Sequence, residues 1–239
     1  MERWDKRGWL ARIRKSVDAR YALGAITHKL GKEKAVLFER VSEYAVPLVT
    51  NLIFSREALA SSLGMEEREF SPRLRKAMEK PRPCEVVEKA PFTEHLLTKP
   101  LNPLKLFPIP TYHEKDAGPY ITGGILVAKD PETGIRNVGT YRMMIRPEPN
   151  ITGIAATFGA HIWSHICKNE ARGKATEIAT VIGGDPVIGM VSTTQIPYGV
   201  DELAVAGGLR GSPIEVTRCE SVDIEVPAGV LKVKKGELV

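Results

Sequence analysis

Residues 121–147 read ITGGILVAKDPETGIRNVGTYRMMIRP. Two largely apolar runs, ITGGILVAKD and IRNVGTYRMMIRP, flank the turn sequence DPETG at 130–134, and this pattern predicts a β-hairpin. One residue breaks the second run: Arg142 stands directly against Tyr141, Met143, Met144 and Ile145. A guanidinium stays charged at any ordinary pH and is rarely buried without a partner, so it calls for a negative group. Asn137 lies five residues earlier. On a regular strand the two side chains point to opposite faces, so both serve one site only if a bulge or a loop start intervenes. A turn asparagine beside an edge-strand arginine is the other reading of the same pattern.

Working outward, the first third reads as a small α+β unit. Trp9, Leu10, Ile13, Val17 and Tyr21 share a helical stripe across residues 8–30, with Gly31 as the stop signal. AVLFERV (35–41) and VPLVTNLIF (46–54) read as strands. SREALASSLG (55–64) reads as a helix capped by Ser55 and closed by Gly64, and a further helix runs from about 66 to 80, before Pro81. Prolines crowd residues 81–120 and exclude long helices there, which sets a boundary near residue 105 and predicts two domains, 1–104 and 105–239. Beyond the hairpin the pattern predicts a helix at 158–172, a strand at ATVIGG (179–184) and a second strand-like run at VIGMVSTTQI (187–196). A short helix at VDELAVAGGLRG (200–211) and a last pair of strands at PIEVTRC and VDIEVP follow. The expected class is α+β, its second part a barrel or strongly curved sheet with inserted helices.

Apolar residues make up 43% of the 239 and charged residues 26%, which excludes a disordered chain and a coiled coil. The formal charge of +5 invites a nucleic-acid reading. The basic groups at the N-terminus and from Arg73 to Lys80 have helical spacing and acidic neighbours, however, and so read as solvated helix faces; a third group is Lys232, Lys234 and Lys235. No nucleic-acid partner is expected. No apolar run approaches the roughly 18 residues that cross a bilayer. Cys84, Cys167 and Cys219 lie far apart with no CxxC pair, the usage of a reducing cytoplasm.

His161 and His165 stand at i and i+4 of a predicted helix, the spacing that lets two imidazoles reach one metal. A zinc peptidase would need glutamate directly after the first histidine, where this chain has Ile162. With no third ligand nearby, one functional histidine and one ordinary one are expected, and spacing does not decide which. GGDP (183–186) lacks the Lys-Ser/Thr of a P-loop and the glycine spacing of a dinucleotide fold, so it reads as a turn between two strands. Glu202, in the first turn of its helix, fits either a dipole-favoured carboxylate or a site residue.

Taken together, KDPETGIRNVGTYRM, the AHIW of 160–163, IGGDP, IPYGVDELAVAGGLRG and SPIEVTRCESVDIEVPA resemble the UbiD family of prenylated-FMN-dependent decarboxylases. LFERV, VTNLIFSREALASSLG and FPIPTYHEKDAGPYITGG resemble the N-terminal part of these proteins, so the similarity runs from about residue 20 to 230. The resemblance implies a small N-terminal α/β domain followed by a flavin-binding split β-barrel-like domain. It implies a carboxy-lyase that reversibly decarboxylates an aromatic or α,β-unsaturated acid through a prenylated-FMN adduct. Asn137, His161 and Glu202 match the residues that hold Mn²⁺ or Mg²⁺ against the flavin phosphate. A K⁺ ion is implied beside it, near Val138, Ser192 and Thr194, with Glu202 serving both ions. Thr140, Tyr141, Ala160, Thr193 and Gln195 complete the implied cofactor-binding set, and Arg142 matches the arginine beside flavin ring and substrate carboxylate.

The family's proton-donating glutamate normally lies in a motif like EGPFGE beyond the VPA strand, and that motif is not among these 239 residues. Leu231 and Lys235 stand where glutamates are expected, and the family's C-terminal domain is not represented. The expected partners are therefore a small carboxylic acid, a flavin prenyltransferase as cofactor supplier, and further copies or a second chain supplying the missing half. A noncatalytic flavin- or partner-binding subunit and an FMN oxidoreductase are the alternatives.

Overall fold

The structure, a computed structural model, describes residues 2–31, 33–94, 97, 102–148 and 151–229. Leu231 and the lysines at 232, 234 and 235 lie outside the described residues. The chain opens with α1 (Glu2–Lys6) and β1 (Leu10–Ile13), which lies parallel to β2 (Ala35–Phe38) in register Leu10 to Ala35; β3 (Leu48–Thr50) pairs antiparallel to β2. Only α2 (Ala22–Leu30) realises the helix expected across 8–30. The LARI run is a strand instead, because a short apolar stretch fits either periodicity and pairing with β2 decides. Asp18 then accepts a hydrogen bond from the Arg20 N–H, making a turn where a continuous helix would have run.

The two predicted helices that follow hold. Ser55 accepts from the Ala58 N–H at 3.0 Å and opens α3 (Arg56–Ser62). Glu66 and Glu69 form a reciprocal capping box at the start of α4 (Glu67–Glu79), which buries Phe70 and Ala77. Among its described residues the proline-rich stretch carries only short pieces: β4 (Glu85–Val86), a 3₁₀ turn (Pro91–Glu94), α5 (Pro103–Leu106) and β5 (Tyr120–Ile121).

The hairpin forms as read, with β6 (Ile125–Lys129) antiparallel to β7 (Arg136–Thr140) and Lys129 facing Arg136. The second run is nevertheless not one strand. β7 ends at Thr140, and β8 (Met143–Ile145) belongs to a different sheet, with β5 and with β9 (Thr152–Ile154). α6 (His161–Glu170) and β10 (Ala179–Val181) follow.

The strand expected at 187–196 is overturned: Pro186–Val191 is a helix, α7. Asp185 caps it by accepting from the Val187 N–H at 2.7 Å, and Pro186 supplies a preset first helical residue. GGDP accordingly turns from a strand into a helix. α8 (Glu202–Arg210) is capped by Asp201 and closed by Gly211 at φ 86°; β11 (Glu215–Arg218) and β12 (Glu225–Pro227) form the last antiparallel pair.

Among the described residues the strands make four three-stranded sheets, β1-β2-β3, β10-β6-β7, β12-β11-β4 and β5-β8-β9, none closed on itself. The class is mixed α and β, as expected. The largest core cluster joins Leu59 and Phe70 to Val187, Leu203 and Leu209 of α7 and α8, and to Val138 and Val216 of the sheets. α8 is buried along most of its length, and its glycine pair is why: a Cβ on Gly208 would sit 3.2 Å from the Lys80 carbonyl oxygen. Without side chains there, α8 packs closely onto the end of α4, which fixes where its N-terminus points.

Candidate functional site

β7 and the N-terminus of α8 meet side by side. Arg136 donates to Asp201 from Nε at 3.0 Å and also reaches Glu225 at 3.2 Å. One residue along each element, the Asn137 amide donates to Glu202 Oε1 at 2.9 Å, and the Val138 N–H donates to Glu202 Oε2 at 2.8 Å. The ion pair Arg136 with Asp201 thus clamps the two elements in the register that brings Asn137 to Glu202.

Glu202 is only 4% exposed. Both of its carboxylate oxygens are hydrogen-bonded, but by neutral donors. Burial pushes its pKa up to about 7; the Val138 N–H, its own N–H and the Asn137 amide oppose the rise, and Asp201 adds to it. Among the described residues the one basic group within ion-pair distance is His161, whose Nδ1 lies 3.7 Å from Glu202 Oε1. The charge on this carboxylate is therefore left largely unmatched.

Tyr141 completes the cluster by folding back over β7. Its hydroxyl donates to Asn137 Oδ1 at 3.2 Å. Gly139 permits this, since a Cβ there would lie 2.3 Å from the Tyr141 ring. Burial raises the Tyr141 pKa, Glu202 adds to the rise, and the Ile162 backbone at the start of α6 lowers it. That start has no side-chain cap, because Ala160 occupies the capping position.

Of the expected site residues, the structure brings together Asn137, Val138, Tyr141, His161 and Glu202, with Ala160 adjoining. Thr140 meets Ser192, their hydroxyls 2.7 Å apart. Thr193 and Thr194 turn their hydroxyls back to the Met190 carbonyl at the end of α7, and Gln195 is exposed. Arg142 lies exposed in the break between β7 and β8, and its side chain has no hydrogen bond or ion pair with any described residue. The histidine pair is separated by burial. His161 is partly exposed beside Glu202, whereas His165 is 3% exposed and faces Asp130 at 3.7 Å.

Sequence reading missed Arg136 and Asp201, and with them Asp130, Lys168 and Tyr198. Asp201 carried a signal, an aspartate just before a helix. The others pair across long separations that leave no local pattern. The donor set is an amide, an imidazole and one carboxylate; among the described residues no group of three or more His, Cys, Asp and Glu is placed to hold a metal.

Comparison with known proteins is extensive. The profile of the 3-octaprenyl-4-hydroxybenzoate carboxy-lyase N-terminal domain matches residues 1–78, and that of the Rift-related domain of the same carboxy-lyase, UbiD, matches 85–238. Anhydromevalonate phosphate decarboxylase of Methanothermobacter thermautotrophicus is 34% identical over 200 residues, 80% of this chain and 44% of that protein. The UbiD-class enzyme HmfF from Pelotomaculum thermopropionicum, solved in complex with FMN, superposes with a TM-score of 0.91 at 39% identity, covering 96% of this chain and 52% of HmfF. An evolved dimeric form of HmfF was solved with prFMN, with the same TM-score of 0.91. The vanillic acid decarboxylase ShVdcCD of Sedimentibacter hydroxybenzoicus, in closed form, gives a TM-score of 0.88 at 30% identity over 96% of this chain and 52% of its own. The chain thus spans about half the length of these relatives.

Proposed function

The chain belongs to the UbiD family of carboxy-lyases, and on that premise we propose that it forms the cofactor-binding portion of a carboxy-lyase acting on an aromatic or α,β-unsaturated acid. The observation that carries this reading is Glu202: a buried carboxylate on neutral donors, beside an imidazole, with no lysine or arginine among the described residues to match it. A divalent cation would supply the missing charge. The donor chemistry fits, since amide and carboxylate oxygens suit a hard cation and an imidazole favours Mn²⁺ over Mg²⁺.

In this reading Asn137, His161 and Glu202 hold the divalent cation, and the carbonyls around Val138, Ser192 and Thr194 hold K⁺. The uncapped start of α6 at Ala160 favours an anionic phosphate. Thr140, Tyr141, Thr193 and Gln195 complete the flavin cradle. Prenylated FMN, when bound, supplies the electron sink for loss of carbon dioxide. Arg142 receives the substrate carboxylate: its guanidinium is exposed and unpaired among the described residues, and its planar fork can hold two oxygens at once. The proton donor comes from a carboxylate beyond these elements, supplied by the rest of the polypeptide or by a second chain. We further read residues 1–104 and 105–239 as two domains, the open sheets of the second as a split barrel, and the protein as cytoplasmic.

The test is co-expression with a flavin prenyltransferase, followed by absorbance and metal analysis of the purified protein. Wild type should retain flavin and Mn²⁺, and Glu202→Ala should lose the metal. A wild-type protein that retains neither would end this reading.

A further inference from the structure

Behind the candidate site lies a second buried carboxylate. Asp130 is 3% exposed and sits at the first position of the turn between β6 and β7. Its Oδ1 accepts from the N–H groups of Glu132 at 2.8 Å and Thr133 at 3.4 Å, which shapes the turn leading into Asn137. Its Oδ2 accepts from Lys168 Nζ at 2.6 Å, on the last turns of α6, the helix that begins with His161. The same oxygen accepts from the Tyr198 hydroxyl, four residues before Glu202. The Tyr198 ring in turn stands edge-on to the His161 ring, at 5.1 Å and 89°, and to the His165 ring, at 6.1 Å and 72°. A small cavity lies between them, lined among others by Asp130, Asn137, His161 and Tyr198, and it abuts His165, whose Nδ1 is buried without a hydrogen-bond partner among the described residues.

We infer that Asp130 is the positioning residue of the site, tying together through Lys168, Tyr198 and its own turn the three segments that carry Asn137, His161 and Glu202. The inference rests on the proposed metal site for its functional meaning. His161 has no hydrogen-bond partner among the described residues to set its ring; the Tyr198 ring packs against it in a T-shaped contact, and Asp130 holds Tyr198. Outer groups of this kind orient a ligand's ring and set its basicity, and their loss typically lowers metal affinity about 10- to 100-fold.

The test has two readouts on the purified chain. Mn²⁺ affinity is measured by electron paramagnetic resonance in the presence of FMN, and the His161 ring resonances are followed by NMR without metal. Asp130→Asn should weaken Mn²⁺ about 10-fold or more and shift the His161 signals. Tyr198→Phe, which keeps the ring and removes only the hydroxyl, should do the same more weakly, and its effect should vanish in the Asp130→Asn background. Tyr198→Phe also serves if Asp130→Asn does not fold. The inference is overturned if these variants lower thermal stability but leave both the affinity and the His161 resonances unchanged. If wild type binds no Mn²⁺, the metal reading has failed, and unchanged His161 resonances alone then overturn the positioning role.

Discussion

Asp130 and Glu202 are equally buried, at 3% and 4% exposure, yet their protons behave in opposite ways. Burial works against the charge of Asp130, but Lys168, Tyr198 and two backbone N–H groups outweigh it and hold its pKa below the usual carboxylate range. Glu202 has neutral donors only among the described residues, and burial pushes its pKa up to about 7. One carboxylate is saturated within the fold. The other is held by neutral donors and, among the described residues, left short of a positive charge, which is what the proposed cation site needs.

Four changes would break or sharpen that contrast. The largest effect is expected for Glu202→Ala, which should weaken Mn²⁺ by at least about 100-fold, while Asp130→Asn should retain measurable binding; a titration of both variants checks it. Glu202→Gln comes next, with a sign that distinguishes the two carboxylates. Because the folded pKa of Glu202 is raised, its charge costs the metal-free protein stability progressively as pH rises from the ordinary carboxylate range toward 7. The Gln variant should therefore be more stable by roughly 3 kcal/mol above pH 7, and the gap should close near pH 4; urea unfolding across that range tests this. Asp130→Asn should instead cost about 2 kcal/mol at pH 7. Its depressed pKa makes that contribution present above about pH 4 and lost below it, so the two proteins should converge in acid melts. Smallest is Tyr198→Phe, a loss of about 1 kcal/mol or less in the same melts, since the ring is half exposed and its packing is kept.

Sequence reading was strongest where the causes are local. The β6–β7 hairpin, the Ser55 cap and the glycine stop of α8 each depend on neighbours within a few residues. It failed at LARI and at VIGMV, two short apolar runs whose periodicity fits strand and helix alike. In the second case Asp185-Pro186 was a legible helix start outweighed by the β-branched residues after it. The site was legible only in part. Asn137, His161 and Glu202 could be named from the resemblance, but nothing local selected His161 over His165; burial of one and the Glu202 neighbour of the other made the distinction.

The sequence by itself determined the element inventory of most of the chain, the family, and the residue types available for chemistry. The tertiary structure decided which of them meet. Asn137 reaches Glu202 across 65 positions, and Tyr198 reaches Asp130 across 68. The break at Tyr141 and Arg142, which the run could only leave open as a bulge or loop start, arises because β7 and β8 pair into different sheets. Hydrogen bonding within a turn is written in adjacent residues. The match between a buried carboxylate and its charge partner is written only in how distant elements pack.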